Sequence, residues 1–136
     1  MNKRIAIISC VSKKLDTANQ AKDLYISDLF KKAYAYTNKH FDQVLILSAK
    51  YGCIDPGRVI EPYDVTLNNF STKQKKEWAF NAYTQLLYII GGNDYVYWFC
   101  GMNYRKYLME LVKNHQEEPL KGLGIGQQLQ YFKNNL

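Results

Sequence analysis

No stretch of this sequence comes near the roughly 20 consecutive apolar residues that cross a bilayer, and Met1-Asn2-Lys3-Arg4 leads into a run far shorter than a secretory leader requires. A soluble, cytoplasmic chain is expected, with no membrane partner. Cysteine is sparse: Cys10, Cys53 and Cys100 are odd in number and lack C-x-x-C spacing, which argues for reduced thiols over a disulfide framework or a zinc site. Histidine is rarer still. His40 and His115 fall at expected helix C-termini, where an imidazolium suits the dipole, so a histidine-based dyad is not expected. The sequence also lacks linkers, repeats and low-complexity tracts, which leaves residues 1–136 as one domain. Acidic residues are outnumbered, 12 against 18 basic, for a formal net charge of +6. That balance favours anionic partners such as phosphates, nucleotides or nucleic acid.

What is present is apolar and aromatic, at 47% and 15% of the residues. Arg4 to Ser9, Gln43 to Ser48 and Asp94 to Cys100 are short β-branched or aromatic runs that read as buried strands. Between them, Ala21 to Thr37 and Thr72 to Ile90 carry apolar residues at helical spacing. The second run opens on Ser71 with Gln74 three residues on, the pattern of a capping box, and ends at Gly91-Gly92. Asn103 to His115 and Gly126 to Phe132 read as two further helices. Strands alternating with helices predict an α/β fold: three layers, a mainly parallel sheet flanked by helices, Rossmann-like in outline. It is not a dinucleotide-binding Rossmann domain, because Gly122-Leu-Gly-Ile-Gly126 lies near the chain end with no βαβ unit after it and reads as a turn into the last helix. No cofactor and no metal are expected. Tyr83, Tyr88, Tyr95, Tyr97, Trp98, Phe99, Tyr104 and Tyr107 are too many aromatics for one small core, so a homo-oligomer is expected.

In open parallel sheets ligands bind beyond the carboxyl ends of the strands. Here the exits are Ser9, Cys10, Ser12, Lys13 and Lys14; then Lys50, Tyr51 and Gly52; then Gly101, Tyr104 and Arg105. Each joins a small residue to a cation and a hydroxyl or amide, the chemistry that receives a phosphate or a ribose. The second exit opens a long loop, LSAKYGCIDPGRVIEPYD, whose mixture of rings and charges of both signs marks it as functional. In it Lys50 offers a cation, Tyr51 a flat face and Gly52 a sharp departure, while Glu61, Tyr63 and Asp64 return acid and ring. Asp64 is the candidate to stabilise an oxocarbenium-like transition state or to activate water, with Tyr63 and Glu61 beside it. The competing reading has Asp64 bonded within the turn or paired with Arg58. Tyr25, on the first helix near Ser27, either closes the pocket or covers the sheet.

The blocks SCVSKK, AKDLYISDLFKKAYAY, ILSAKYGCIDPGRVIEPYDVTL, GMNYRKYLMELV and PLKGLGIGQQLQYF, spread from Ile5 to Phe132, resemble a YaaA-like (DUF6884-type) domain family of bacterial and phage proteins allied to the YaaA peroxide-stress proteins. The resemblance implies an α/β domain with a nucleotide- or nucleobase-binding pocket and a distant relation to base-handling, glycosylase-like enzymes. It includes Ser9, Cys10, Ser12, Lys13, Lys14, Tyr25, Ser27, Lys50, Tyr51, Gly52, Tyr63, Asp64, Gly101, Tyr104 and Arg105 among the matching positions. Three functions follow as expectations: cleavage of an N-glycosidic bond in a modified or ordinary nucleotide or nucleoside, capture of a nucleotide signal without chemistry, or, as the lesser alternative, a nucleic-acid-binding accessory domain. Against the last, the lysines are dispersed along the sequence and form no basic helix.

Overall fold

The computed structural model describes residues 2–9 and 13–136. In chain order these form β1 (Arg4–Ser9), β2 (Asn19–Gln20), α1 (Ala21–Leu24), α2 (Asp28–His40), β3 (Gln43–Ser48), β4 (Gly52–Ile54), β5 (Val59–Ile60), a 3-10 turn (Leu67–Asn69), α3 (Thr72–Leu87), β6 (Tyr95–Phe99), α4 (Met102–Leu111), β7 (Gln116–Glu117) and α5 (Ile125–Asn135). The fold is α/β, a mixed five-stranded sheet in the order β4-β3-β1-β6-β7 flanked by helices.

β1 is central, pairing in parallel with β3 (Ile7 opposite Leu45) and with β6 (Ile7 opposite Trp98). Because side chains alternate across a strand, each apolar run feeds two cores at once. Ile5, Ile7, Leu45, Leu47 and Trp98 face Trp78, Ala82 and Leu86 of α3 and Leu108 of α4. Ala6, Ile8, Val44 and Ile46 face Phe30 and Ala33 of α2 and Phe132 of α5. This explains why the three long strands lack polar alternation.

The expected parallel character holds around β1 and between β6 and β7, and fails at β4, which turns back antiparallel to β3 with Leu47 opposite Cys53. The reversal is local. Gly52 adopts φ +80° at the hairpin, and the Gln85 side chain of α3 clamps it: Gln85 Oε1 accepts from Cys53 N at 2.8 Å and Nε2 donates to the Tyr51 carbonyl at 3.0 Å. The opening of the long loop is therefore an edge strand, and β5 pairs separately with β2.

A second correction concerns the first helix, which breaks between Leu24 and Asp28. There the backbone pairs with the segment after β1: Leu15 N donates to Leu24 O and Ile26 N to Lys13 O, each at 2.9 Å, and Lys14 bridges Tyr25. Ser27 then starts α2 as its N-cap, accepting from Phe30 N at 3.2 Å. The capping box at Ser71 forms as expected, Gln74 N donating to Ser71 Oγ at 3.2 Å and Ser71 N to Gln74 Oε1 at 2.8 Å. His40 ends α2, whereas His115 lies beyond α4 and bonds Glu117 at 3.1 Å. Of the aromatics expected at a subunit surface, Tyr88 and Tyr95 are exposed, and Trp98 and Phe99 are core.

Candidate functional site

The carboxyl ends of the three parallel strands β1, β3 and β6 lie side by side, bringing Ser9, Ser48 and the residues after Phe99 together. Gly101 N donates to Ser9 Oγ at 3.3 Å, fastening the first exit to the third. Ser48 is buried, with its carbonyl accepting from Trp78 Nε1 at 3.0 Å. Its hydroxyl accepts from the backbone N–H groups of Lys50 (3.3 Å) and Tyr51 (3.1 Å) and donates to Tyr63 Oη at 2.8 Å. Tyr63 Oη in turn lies 2.8 Å from Tyr25 Oη. This chain of three hydroxyls pins Tyr63, and with it the far end of the long loop, over the strand ends. The Lys14 ammonium sits 4.5 Å from the centre of the Tyr63 ring, where the quadrupole attracts it.

Above this floor opens a cleft of about 560 Å³. One wall is the loop that carries Tyr63, Asp64, Thr66 and Asn68; the other is the start of α4, Gly101 to Tyr104, and Ser9 and Lys14 line it between them. α4 begins at Gly101 with no side-chain cap, so the positive end of its dipole meets the cleft. Asn103 joins the walls, donating Nδ2 to Asn68 Oδ1 and accepting from Lys75 Nζ at 3.2 Å. Asp64 is exposed and pairs with no cation among the described residues; Arg58 lies instead 5.4 Å from the Tyr51 ring. Among the described residues the cleft thus offers one cation, one carboxylate, two amides, hydroxyls and an uncapped helix end, a set suited to a phosphorylated polyol or a nucleotide.

The structure brings together Ser9, Lys14, Tyr63, Asp64, Gly101 and Tyr104 of the residues expected from sequence, with Tyr25 buried beneath. Others stand elsewhere. Lys50 is exposed outside the cleft, its ammonium 5.4 Å from the Tyr51 ring. Tyr51 packs edge-on to Tyr63 at 5.7 Å and donates to the Glu61 carbonyl at 3.3 Å, so it buttresses the loop. Glu61 is exposed and does not line the cleft. Arg105 is committed to Glu118 at 3.0 Å and to the Cys100 carbonyl. Lys13 contributes its backbone carbonyl to Ile26, Ser27 caps α2, and Gly52 makes the hairpin. Cys10 and Ser12 lie outside the described residues.

Sequence reasoning missed Asn68 and Lys75, which belong to no motif, and gave no role to Thr66 and Asn103, which lie within the blocks that carry the resemblance; the four meet only through the packing of α4 on the loop and α3. The thiols of Cys53 and Cys100 are pushed up to about 12 by burial, which leaves both as inert packing groups. Among the described residues no three His, Cys, Asp or Glu side chains gather closely enough to hold a metal.

Comparison with known proteins gives two findings. The family described as "Family of unknown function (DUF6884)" matches residues 5–134. The uncharacterized protein YfjM of Bacillus subtilis (strain 168) is 30% identical over 140 residues, which cover 94% of this chain and 91% of YfjM.

Proposed function

The chain belongs to the DUF6884 family, and from the geometry of its cleft we propose that it binds a nucleotide or nucleoside and hydrolyses its N-glycosidic bond. The observation that carries the reading is the meeting of Lys14 and the uncapped start of α4 in one cleft whose lining carries one carboxylate, Asp64. Lys14 and the α4 amides supply countercharge and donors for a phosphate. Tyr104, packed edge-on against Trp78 at 5.6 Å, supplies a fixed ring beside the base. Water adds across the C1′–N bond: Asp64 takes a proton from the water or steadies the cationic sugar, the hydroxyl goes to C1′, and the base leaves with a proton. In this reading Tyr63, whose hydroxyl bonds Ser48 and Tyr25, gives the base that proton and recovers the one lost by the water.

A second reading, capture of a nucleotide signal without chemistry, is favoured by the exposure of Asp64, since a carboxylate serving an oxocarbenium ion gains most when sheltered from water. Under either reading we place the protein among YaaA-like, Rossmann-like three-layer domains of bacteria or phage, in the cytoplasm, and self-associating through exposed aromatics such as Tyr88 and Tyr95. The test is incubation with a panel of nucleotides and nucleosides, followed by mass spectrometry of the solution and of material released on denaturing the protein. Free base and sugar phosphate support hydrolysis; intact nucleotide recovered from the protein supports capture; neither product nor bound ligand across the panel overturns both.

A further inference from the structure

The packing of α3 against α4 brings one lysine of α4 beside three that adjoin in sequence on α3. Lys73, Lys75 and Lys76 occupy the first two turns of α3, a helix whose first turn carries no acidic residue, and Lys106 projects from α4. Cations at a helix N-terminus oppose its dipole, so helix stability does not call for them there. Lys76 and Lys106 flank one ring, their ammoniums 5.5 and 5.2 Å from the centre of Tyr107. None of the four joins an ion pair among the described residues. The exposed carboxylates on these helices, Glu77 and Glu110, leave an excess of positive charge. Along α3 a shallow groove of about 730 Å³ runs from Lys73 and Lys76 past Glu77 to Phe80, a ring 56% exposed.

This surface meets the cleft at one contact. Lys75 Nζ bonds Asn103 Oδ1 at 3.2 Å, and Asn103 is part of the cleft wall. Tyr104 in the cleft and Tyr107 between the lysines lie one turn apart on α4. Unpaired cations interleaved with rings, leading out of a nucleotide-sized cleft, match the chemistry of a single strand: phosphates for the ammoniums, exposed bases for the rings. An acidic peptide or an anionic membrane would satisfy the lysines and leave the rings and the link to the cleft unused.

We propose that the nucleotide received by the cleft is one residue of a single-stranded nucleic acid, whose backbone leaves past Asn103 and Lys75 and crosses Lys76, Lys106 and Tyr107 towards Lys73 and Phe80. This rests on the reading of the cleft as a nucleotide site. The test compares the four nucleoside 5′-monophosphates, by calorimetry, with labelled mixed-base oligonucleotides of about ten residues, as DNA and as RNA, by fluorescence anisotropy. The oligonucleotide is expected to bind at least about tenfold more tightly than any monophosphate, with a steeper dependence on salt. The triple variant Lys73→Ala, Lys76→Ala, Lys106→Ala, which leaves the cleft untouched, is expected to lose that gain and flatten the salt dependence while binding monophosphates as before. Equal affinity for monophosphate and oligonucleotide, an unchanged gain in the variant, or equally good displacement by polyglutamate would overturn the proposal. Failure of every monophosphate to bind, with the oligonucleotide still held, would instead remove the cleft reading, and this inference with it.

Discussion

Ser48 donates a 2.8 Å hydrogen bond to the hydroxyl of Tyr63, tying the end of β3 to the residue that precedes Asp64. The same Ser48 oxygen receives the backbone N–H groups of Lys50 and Tyr51. Ser48→Ala therefore strips an acceptor from two backbone donors and a donor from Tyr63 at a buried position. The expected cost is about 1–3 kcal/mol of unfolding free energy, measured by urea denaturation, together with weakened ligand binding as Tyr63 and Asp64 lose their anchor. An unchanged denaturation midpoint would show that the loop is held by other means.

Gly52 and Gln85 make a second checkable pair. A Cβ at position 52 would be strained at φ +80° and would run into the Gln85 carboxamide. Gly52→Ala is expected to destabilise by about 2 kcal/mol or more, combining left-handed strain with the displaced clamp. In a double-mutant cycle Gln85→Ala should cost less in the Gly52→Ala background than in the parent, because the clamp is already broken there. Strict additivity would mean that the two residues act independently.

Two groups set opposite limits in pH. Asp94 accepts from Lys3 N at 2.9 Å and from Gly91 N at 2.8 Å, and these two backbone hydrogen bonds hold its carboxyl below the usual range. A lowered native pKa gives stability that is complete above the unfolded value of about 4 and is lost as pH falls through the native one. Urea midpoints should fall in acid for the parent, and less so for Asp94→Asn. The buried thiols act the other way: with native values pushed up to about 12, Cys53 and Cys100 favour the folded state less as pH rises above the ordinary 9.0. Alkylation at pH 8, read by peptide mass spectrometry, should leave both unmodified until the protein unfolds.

The cleft separates residues that the sequence alone groups together. Lys14→Ala is expected to weaken binding of a nucleotide about tenfold or more while sparing the matching nucleoside, because Lys14 faces the cleft. Lys50→Ala should change little, since Lys50 lies outside it. Asp64→Asn should keep binding and lower turnover by about a hundredfold or more if the carboxylate serves the transition state. Loss of binding in Asp64→Asn would recast the carboxylate as an acceptor for ribose or base.

Where the sequence was legible, one strong local signal decided the structure. β1 and β3 are readable because β-branched runs buried on both faces have few other solutions, and α3 because Ser71 and Gln74 cap it. The break between α1 and α2 had a local signal too, Ser27-Asp28, but the apolar spacing runs straight through it, and the pairing of Lys14 with Tyr25 that enforces it is non-local. The site was legible as a set of strand exits and not as a set of directions. Sequence puts Lys50 and Arg105 beside those exits; Tyr51, and Glu118 with the Cys100 carbonyl, draw them off, while Asn68, Asn103 and Lys75 come together from separate segments. The basic surface was legible only in part: Lys73, Lys75 and Lys76 adjoin in sequence, but Lys106 joins Lys76 only through the helix pair around Tyr107.

The most direct test is an amide chemical-shift map of the labelled protein titrated with a mixture of nucleoside 5′-monophosphates. The cleft account predicts that the largest shifts fall on Ser9, Asp64, Gly101, Met102 and Asn103, with α5 (Ile125–Asn135) unmoved. Largest shifts on α2 or α5, or a map that stays flat at saturating nucleotide, would contradict it.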